Sequence, residues 1–270
     1  MNHCVKANAP VDFVSTHVYA NDTAKDVFGT NEVIPRSEMV ARSVRKVYDQ
    51  VKASARPDLP IIWSEYNASY MNEVAVTDSP FMGPWLANNI RQCDGRATIM
   101  SYWAFSDVFE EQGVVKTPFY GGYGLIAAGH IPKAAFNAFK MLHLLGEQRI
   151  VSDAPDALAT KRADGTVVVA VWNYVPPEEA GSPKRIALDL RNLDRARRLR
   201  IHVLDAAHGS ALTVWEKMGR PSFPTREQQR QLQRAAELPA PEERKIPAGK
   251  SGSLTIDLSP HGLAVIEILK

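Results

Sequence analysis

The sequence has few of the features that assign a chain to a class at once. Two cysteines, Cys4 and Cys93, among 270 residues cannot build a disulfide framework, and two isolated thiols leave the cellular compartment open. No stretch approaches the ~18 apolar residues of a membrane span. The N-terminal residues also lack the apolar core of a signal peptide. We therefore expect no membrane partner and leave the localisation undetermined.

An excess of charge of one sign is absent too. Lysine and arginine (32) nearly balance aspartate and glutamate (30), so the net charge of +2 predicts no nucleic-acid partner. A local basic run from Arg195 to Arg200 reads as a solvated edge of a strand or loop. The seven histidines show no tight metal-ligand spacing, so we expect no metal and no cofactor. Gly121-Gly122-Tyr123-Gly124 lacks the residues of a phosphate loop and predicts a loop turn.

The first 146 residues alternate strand and helix. Apolar strand patterns cover 11–19, 60–65 and 97–105. Helical patterns begin at Ser37, near Ser79 and at Pro132. Strand–helix repeats of this kind imply a parallel sheet with helical crossovers, so the region predicts three βα units.

From about residue 149 the pattern changes to short strands bounded by turns. Asp164-Gly165 is a hairpin signal between strand patterns at 157–162 and 166–174. Further strand patterns cover 186–190, 199–204, 254–258 and 263–269. A polar helix capped by Thr225 is predicted at 225–237, and the Pro/Glu-rich stretches 176–183 and 239–247 read as exposed loops. This half predicts a β-sandwich, with domain boundaries at 1–147 and 148–270.

Chemistry is expected where the parallel strands end, because their carboxyl ends are the usual place for catalysis in such folds. Glu65 ends an apolar strand that has no structural need for a carboxylate. His17 and Tyr19 share one face of the neighbouring strand. Glu65 is thus a candidate catalytic carboxylate, with Trp103 as a stacking platform for a sugar ring. The alternative, that Glu65 caps a loop or pairs with an arginine while Trp103 is core, stays open on these residues alone.

Three strand-end motifs, in order, resemble glycoside hydrolase family 39, the β-xylosidase family. The segment that ends in Ser15-Thr16-His17-Val18-Tyr19 is similar to the sixth barrel strand of that family. Ile62-Trp63-Ser64-Glu65-Tyr66-Asn67 is similar to the seventh, and the segment 101–111 to the eighth with its loop. The segments 121–126, 131–136, 204–208 and 214–221 resemble later parts of the family in the same order.

The resemblance implies a retaining glycosidase acting on β-xylosides or xylo-oligosaccharides. Such enzymes use two carboxyl groups ~5–5.5 Å apart. By this resemblance Glu65 is the nucleophile. The implied substrate-binding residues are His17, Tyr19, Asn67, Trp103, Glu110 and Glu111. The implied fold is α/β plus all-β: a partial (β/α)8 TIM barrel, namely its last three βα units, followed by a C-terminal β-sandwich.

The family's general acid/base belongs to a Trp-Asn-Glu-Pro-like motif at the end of the fourth barrel strand. This sequence has Asn31-Glu32-Val33 and Asn72-Glu73-Val74, and neither follows an apolar strand or precedes proline. A barrel needs eight strands, so we expect the first five to have no counterpart and the chain to have little activity alone. Its open sheet edge predicts self-association or a complementing chain.

Two other functions stay open. The same family contains α-L-iduronidase-like specificity, for which a basic residue facing the sugar carboxylate would be the sign, and none stands out. A non-catalytic carbohydrate-binding or interaction protein would use aromatic side chains on one sandwich face. Trp172, Tyr174 and Trp215 are too scattered in the sequence to indicate such a face.

Overall fold

The computed structural model describes residues 1–108 and 113–269, which form two compact units. The first unit comprises residues 1–71 and 88–105, and the second comprises 72–87 and 106–270. The helices of the described residues are α1 Asn2–Lys6, α2 Ala24–Phe28, α3 Met39–Lys52, α4 Val74–Thr77, α5 Met82–Cys93, α6 Ala134–Leu142, α7 Leu212–Lys217 and α8 Arg226–Ala235. None of these helices is long and apolar enough to cross a membrane.

The strands in the described part of the chain belong to four sheets. Those of the described residues are β1 Val14–Tyr19, β2 Ile61–Asn67, β3 Ile99–Tyr102, β4 Ile126–Ala127, β5 Ile131–Pro132, β6 Gln148–Ile150, β7 Ala157–Lys161, β8 Val167–Trp172, β9 Lys184–Leu193, β10 Arg197–Leu204, β11 Glu242–Ile246, β12 Gly249–Leu258 and β13 Leu263–Leu269. Strands β1, β2 and β3 form one sheet in that order. A second, six-stranded sheet has the order β11-β10-β13-β8-β7-β6, and β12-β9 and β4-β5 are two-stranded sheets.

The first unit contains the predicted parallel strands. Both β1–β2 and β2–β3 pair in parallel, which confirms the prediction, although the strands begin one to three residues later than their apolar patterns. Helix α3 contacts β1 and buries Val40, Val44 and Val51, which recur at helical spacing on one side. This burial is what makes the stretch after Ser37 helical.

The second unit contains two antiparallel sheets that share one apolar core. Val171, Leu199 and Ile266 come from the six-stranded sheet, and Leu254 and Ile256 from β12 of its two-stranded partner. Alternation along β12 leaves every second side chain of its C-terminal half buried, as expected for a strand with one solvated face.

Local turn and cap chemistry follows the predictions in this unit. The hairpin between β7 and β8 turns at Gly165, whose φ is +85°, and Thr166 N–H donates to Asp164 Oδ1 at 2.7 Å. Helix α8 begins after Thr225 with a complete capping box, because Thr225 Oγ1 accepts from Gln228 N–H and Gln228 Oε1 accepts from Thr225 N–H.

One prediction about loops is wrong. The stretch 239–247 is not a loop throughout, because it contains β11, which pairs antiparallel with β10. The basic run is solvated as predicted, since Arg195, just before β10, and Arg198, within it, are exposed. Strand β10 itself lies between β11 and β13. The domain limits 1–147 and 148–270 stay predictions, and the two compact units divide the chain differently, with 106–147 grouped with the C-terminal strands.

Candidate active site

The carboxyl ends of β1 and β2 bring the predicted polar residues together. His17 is paired with Glu65, and Tyr19 with Asn67. The register shifts between Thr16 and His17, since Thr16 is paired with Trp63 and His17 with Glu65. Strand β2 therefore has one residue, Ser64, more than β1 over this stretch, which is a β-bulge.

The bulge places two consecutive side chains of β2 on the same face. Ser64 Oγ is hydrogen-bonded to Ser15 Oγ at 2.8 Å, and Glu65 Oε2 accepts a hydrogen bond from Tyr19 Oη at 2.5 Å. Ser15 and Tyr19 lie four residues apart on β1 and share a face because side chains alternate along a strand. Bulges of this kind re-aim side chains beside active sites.

Glu65 is a half-buried carboxylate with two polar neighbours. Besides Tyr19, His17 Nδ1 approaches Glu65 Oε2 at 3.4 Å. The side chain of Glu65 is 21% exposed and that of His17 is 52% exposed. The arrangement therefore presents a carboxyl group to solvent beside two groups able to contact a ligand.

Asn67 and Trp103 connect the ends of β2 and β3. The fully buried Asn67 donates from Nδ2 to the carbonyl oxygen of Trp103, and its Oδ1 accepts from Ala68 N–H at 2.6 Å. Trp103 N–H in turn donates to the carbonyl of Tyr66 at 3.1 Å. The Trp103 side chain is half-buried, and the peptide bond between Trp103 and Ala104 is cis. Asn67 thus holds the backbone of Trp103, which sequence reasoning had not foreseen.

A second group of residues that the sequence did not reveal joins the segments after β1 and β2. Asn21 donates from Nδ2 to Ser69 Oγ at 3.2 Å and accepts at Oδ1 from Tyr70 N–H at 3.1 Å. The rings of Tyr19 and Tyr70 meet edge to face, with centroids 5.8 Å apart. Asp22 Oδ2 accepts from Tyr19 N–H at 2.8 Å, and burial raises the pKa of Asp22. The adjacent polar pair Asn21-Asp22 at a strand end was the signal available in the sequence.

Two further predicted site carboxylates, Glu110 and Glu111, fall outside the described residues. Glu32 and Glu73, which the sequence argued against as the acid/base, have other contacts. Both oxygens of Glu32 accept hydrogen bonds from Arg42, at 2.6 and 2.8 Å, and these bonds lower the pKa of Glu32. Glu73 is the residue before α4 and its backbone carbonyl accepts from Val76 and Thr77 N–H. In residues 1–108 and 113–269 no group of three His, Cys, Asp or Glu side chains is arranged to hold a metal ion.

Comparison with known proteins gives consistent matches. A model of glycosyl hydrolases family 39 matches residues 1–255. A β-xylosidase from Geobacillus stearothermophilus is 32% identical over 273 residues, covering 99% of this chain and 54% of that protein. A β-xylosidase from Caldicellulosiruptor saccharolyticus is 29% identical over 278 residues, covering 98% and 55%. The chain thus spans about half the length of the curated relatives it matches.

Solved structures agree with these matches. The crystal structure of a monomeric β-xylosidase from Caulobacter crescentus CB15 has a TM-score of 0.84 and 26% sequence identity to this chain. The similarity covers 99% of this chain and 57% of that one. The similarity therefore includes both of the compact units described above.

Proposed function

Because the chain belongs to glycosyl hydrolases family 39, we propose that it is part of a retaining β-xylosidase whose nucleophile is Glu65. The observation that carries this proposal is the hydrogen bond from Tyr19 Oη to Glu65 Oε2 at the carboxyl end of a parallel strand. The name β-xylosidase of two similar proteins supports a β-xyloside as substrate.

The proposed fold is the last three βα units of a (β/α)8 barrel followed by a β-sandwich. Three parallel strands in sequence order support the barrel portion. Two antiparallel sheets with one shared core support the sandwich. In this arrangement the Glu65 side chain lies at the barrel mouth, where substrates bind.

The contacts suggest a role for each neighbour of Glu65. Tyr19 and His17 both reach Oε2, so we infer that Oε1 attacks the anomeric carbon while Tyr19 holds the carboxylate in place. His17, being half exposed, is positioned to contact a sugar hydroxyl as well. Trp103 would form the wall of the sugar site. Since Asn67 is fully buried and bonded to the backbone of Trp103, we propose that it positions this wall instead of touching sugar.

Only one carboxylate of the catalytic pair is proposed from this chain. Neither Glu32, held by Arg42, nor Glu73, beside α4, lies at a strand end. Without proton donation to the leaving group, general-acid catalysis worth ~10²–10⁴-fold is lost. We therefore expect the chain on its own to turn over ordinary aryl β-xylosides slowly or not at all.

The nucleophile can be tested without its acid partner. A 2-deoxy-2-fluoro-β-xyloside with a dinitrophenyl leaving group needs no proton for departure, and the fluorine slows hydrolysis of the covalent intermediate. The purified chain should acquire one fluoroxylosyl group, which mass spectrometry of a protease digest locates on the peptide that contains Glu65. Glu65→Gln should not be labelled, whereas the matched variant Glu32→Gln should be labelled like the wild type.

The same experiment separates the alternatives. Labelling of a different carboxylate in the wild type would refute Glu65 as nucleophile. Preferential labelling by a fluorinated uronic acid glycoside would favour α-L-iduronidase-like specificity. Reversible sugar binding with no label in any variant would favour a carbohydrate-binding protein. The structure offers that last function little support, because Trp172 and Trp215 are buried and present no aromatic face.

A further inference from the structure

A buried cluster of three charged side chains lies in the second unit and takes no part in the proposed mechanism. Lys133 Nζ is 2.6 Å from Asp78 Oδ1 and 3.0 Å from Asp107 Oδ2. All three side chains have no exposed area. Asp78 and Lys133 are separated by 55 positions in the sequence, with Asp107 between them, so it is the fold that brings the three side chains together.

The cluster binds the two ends of one chain segment. Asp107 stands at its start. At its end, Gly121 N–H donates to Asp78 Oδ2 at 2.6 Å and Gly124 N–H donates to Asp107 Oδ1 at 2.5 Å. Lys133 Nζ also donates to the carbonyl of Gly122 at 2.7 Å. The three charged side chains thereby join the two ends of the segment 107–124, namely Asp107 and the turn 121–124.

The glycines of this segment are required by the close approach of the backbone to the cluster. A Cβ at Gly122 would lie 2.5 Å from the carboxyl carbon of Asp107, and one at Gly124 would lie 2.2 Å from the backbone nitrogen of Asp107. Gly121 has a φ of +81°, which favours glycine. The motif predicted as a simple loop turn is thus the part of the segment that packs on the cluster.

Stability alone does not account for such a cluster. Burial raises the pKa of Asp78 to about 6 and also raises the pKa of Asp107. Burial by itself would lower the pKa of Lys133, but the two carboxylates raise it above its usual value. Apolar residues of the same volume often stabilise a protein as well as a buried ion pair does, whereas charged groups impose directed bonds. The cluster therefore fixes geometry more than it adds stability.

We propose that Lys133 is a positioning residue that, through Asp78 and Asp107, fixes both ends of the segment 107–124. The anchoring of this segment does not rest on the proposed function.

Hydrogen exchange of the full chain tests the anchoring. Lys133→Met removes the ammonium, and Gly122→Ala inserts a methyl group against the Asp107 carboxyl while leaving all charges in place. Both variants should exchange the amides of 113–126 at least ~10-fold faster than the wild type, with β7 and β8 unchanged. Gly249→Ala is the matched control, because the nearest atom to its Cβ is 3.7 Å away, and it should leave the segment protected.

If Lys133→Met fails to fold, the charge-free triple variant Lys133→Met, Asp78→Asn, Asp107→Asn replaces it. The triple variant should fold, because no charge is left unpaired, yet exchange 113–126 as fast as Gly122→Ala does. Unchanged exchange of 113–126 in Gly122→Ala and in the triple variant would overturn the anchoring. Equal acceleration of exchange throughout the second unit would show a purely structural role and would also overturn it.

Discussion

The charge state of the buried cluster predicts an unusual response to a single neutralising substitution. Asp78→Asn keeps the size of the side chain and an oxygen to accept from Gly121 N–H, and it leaves Lys133 paired with Asp107, while the new amide NH2 faces Lys133 Nζ. We expect this variant to gain stability relative to the wild type as the pH rises through neutrality, even though it removes a partner from an ion pair of 2.6 Å. The reason is that burial of the Asp78 carboxylate costs more than its attraction to Lys133 returns.

The sign and size follow from the pKa of Asp78. Its pKa is raised from 3.8 to about 6 by burial. A group whose folded pKa is raised contributes stability that is fully present below its unfolded pKa and is lost as the pH rises through the folded pKa. Since one pKa unit is worth ~1.4 kcal/mol, the wild type should lose about 3 kcal/mol from this group between pH values of about 4 and about 7.

Urea unfolding followed by circular dichroism measures this loss. The difference in free energy of unfolding between Asp78→Asn and wild type should shift by about 3 kcal/mol in favour of the variant between pH values of about 4 and about 7. Asp156→Asn, at the part-exposed pair with Lys184, is the control, and its difference from the wild type should shift by less than ~1 kcal/mol over the same range. A difference for Asp78→Asn that does not change with pH would refute the reasoning.

Two further predictions concern the parallel sheet. Asn67→Ala removes the side chain that accepts from Ala68 N–H and donates to the Trp103 carbonyl, both in a buried place. The substitution should lower the free energy of unfolding by about 1–3 kcal/mol for each group left unpaired. A decrease below ~0.5 kcal/mol, measured by urea unfolding, would contradict the positioning role. In the part of the chain that the structure describes, β1 and β3 each pair within the sheet with β2 alone, and Phe13 and Ile99 are about half exposed. We expect these edges to associate with further strands, and light scattering that shows a monodisperse monomer of this chain would disprove this.

Local patterns were sufficient to predict much of the fold. The three parallel strands, the turn at Gly165 and the capped helix after Thr225 each depend on residues close together in the sequence. Strand β11 was missed because its sequence Glu242–Ile246 shows no apolar alternation, and its pairing with β10 comes from tertiary structure. A strand of this kind cannot be recognised from its own residues.

Local patterns also predicted part of the candidate site. His17, Tyr19 and Glu65 stand at recognisable strand ends, and the structure brings them together. The hydrogen bond from Asn67 to the Trp103 carbonyl depends on which backbone groups face each other in the folded sheet, and the spacing of residues in the sequence does not predict this. The Lys133 cluster was missed altogether, because each of its members is an unremarkable charged residue in its own segment.

The bulge at Ser64 has a consequence for anyone who transfers this chemistry to another sheet. Counting odd and even positions along β2 would assign Ser64 and Glu65 to opposite sides, yet their partners Ser15 and Tyr19 lie on one side. In a strand with strict alternation Glu65 would follow Ser64 onto the opposite side, whereas the bulge keeps both residues on the Tyr19 side. Deleting Ser64 would leave Glu65 directly after Trp63 and opposite His17, so regular alternation would still direct the Glu65 carboxylate to the Tyr19 side. The bulge therefore adds the Ser64 hydroxyl to the polar side of β2 without displacing Glu65 from it.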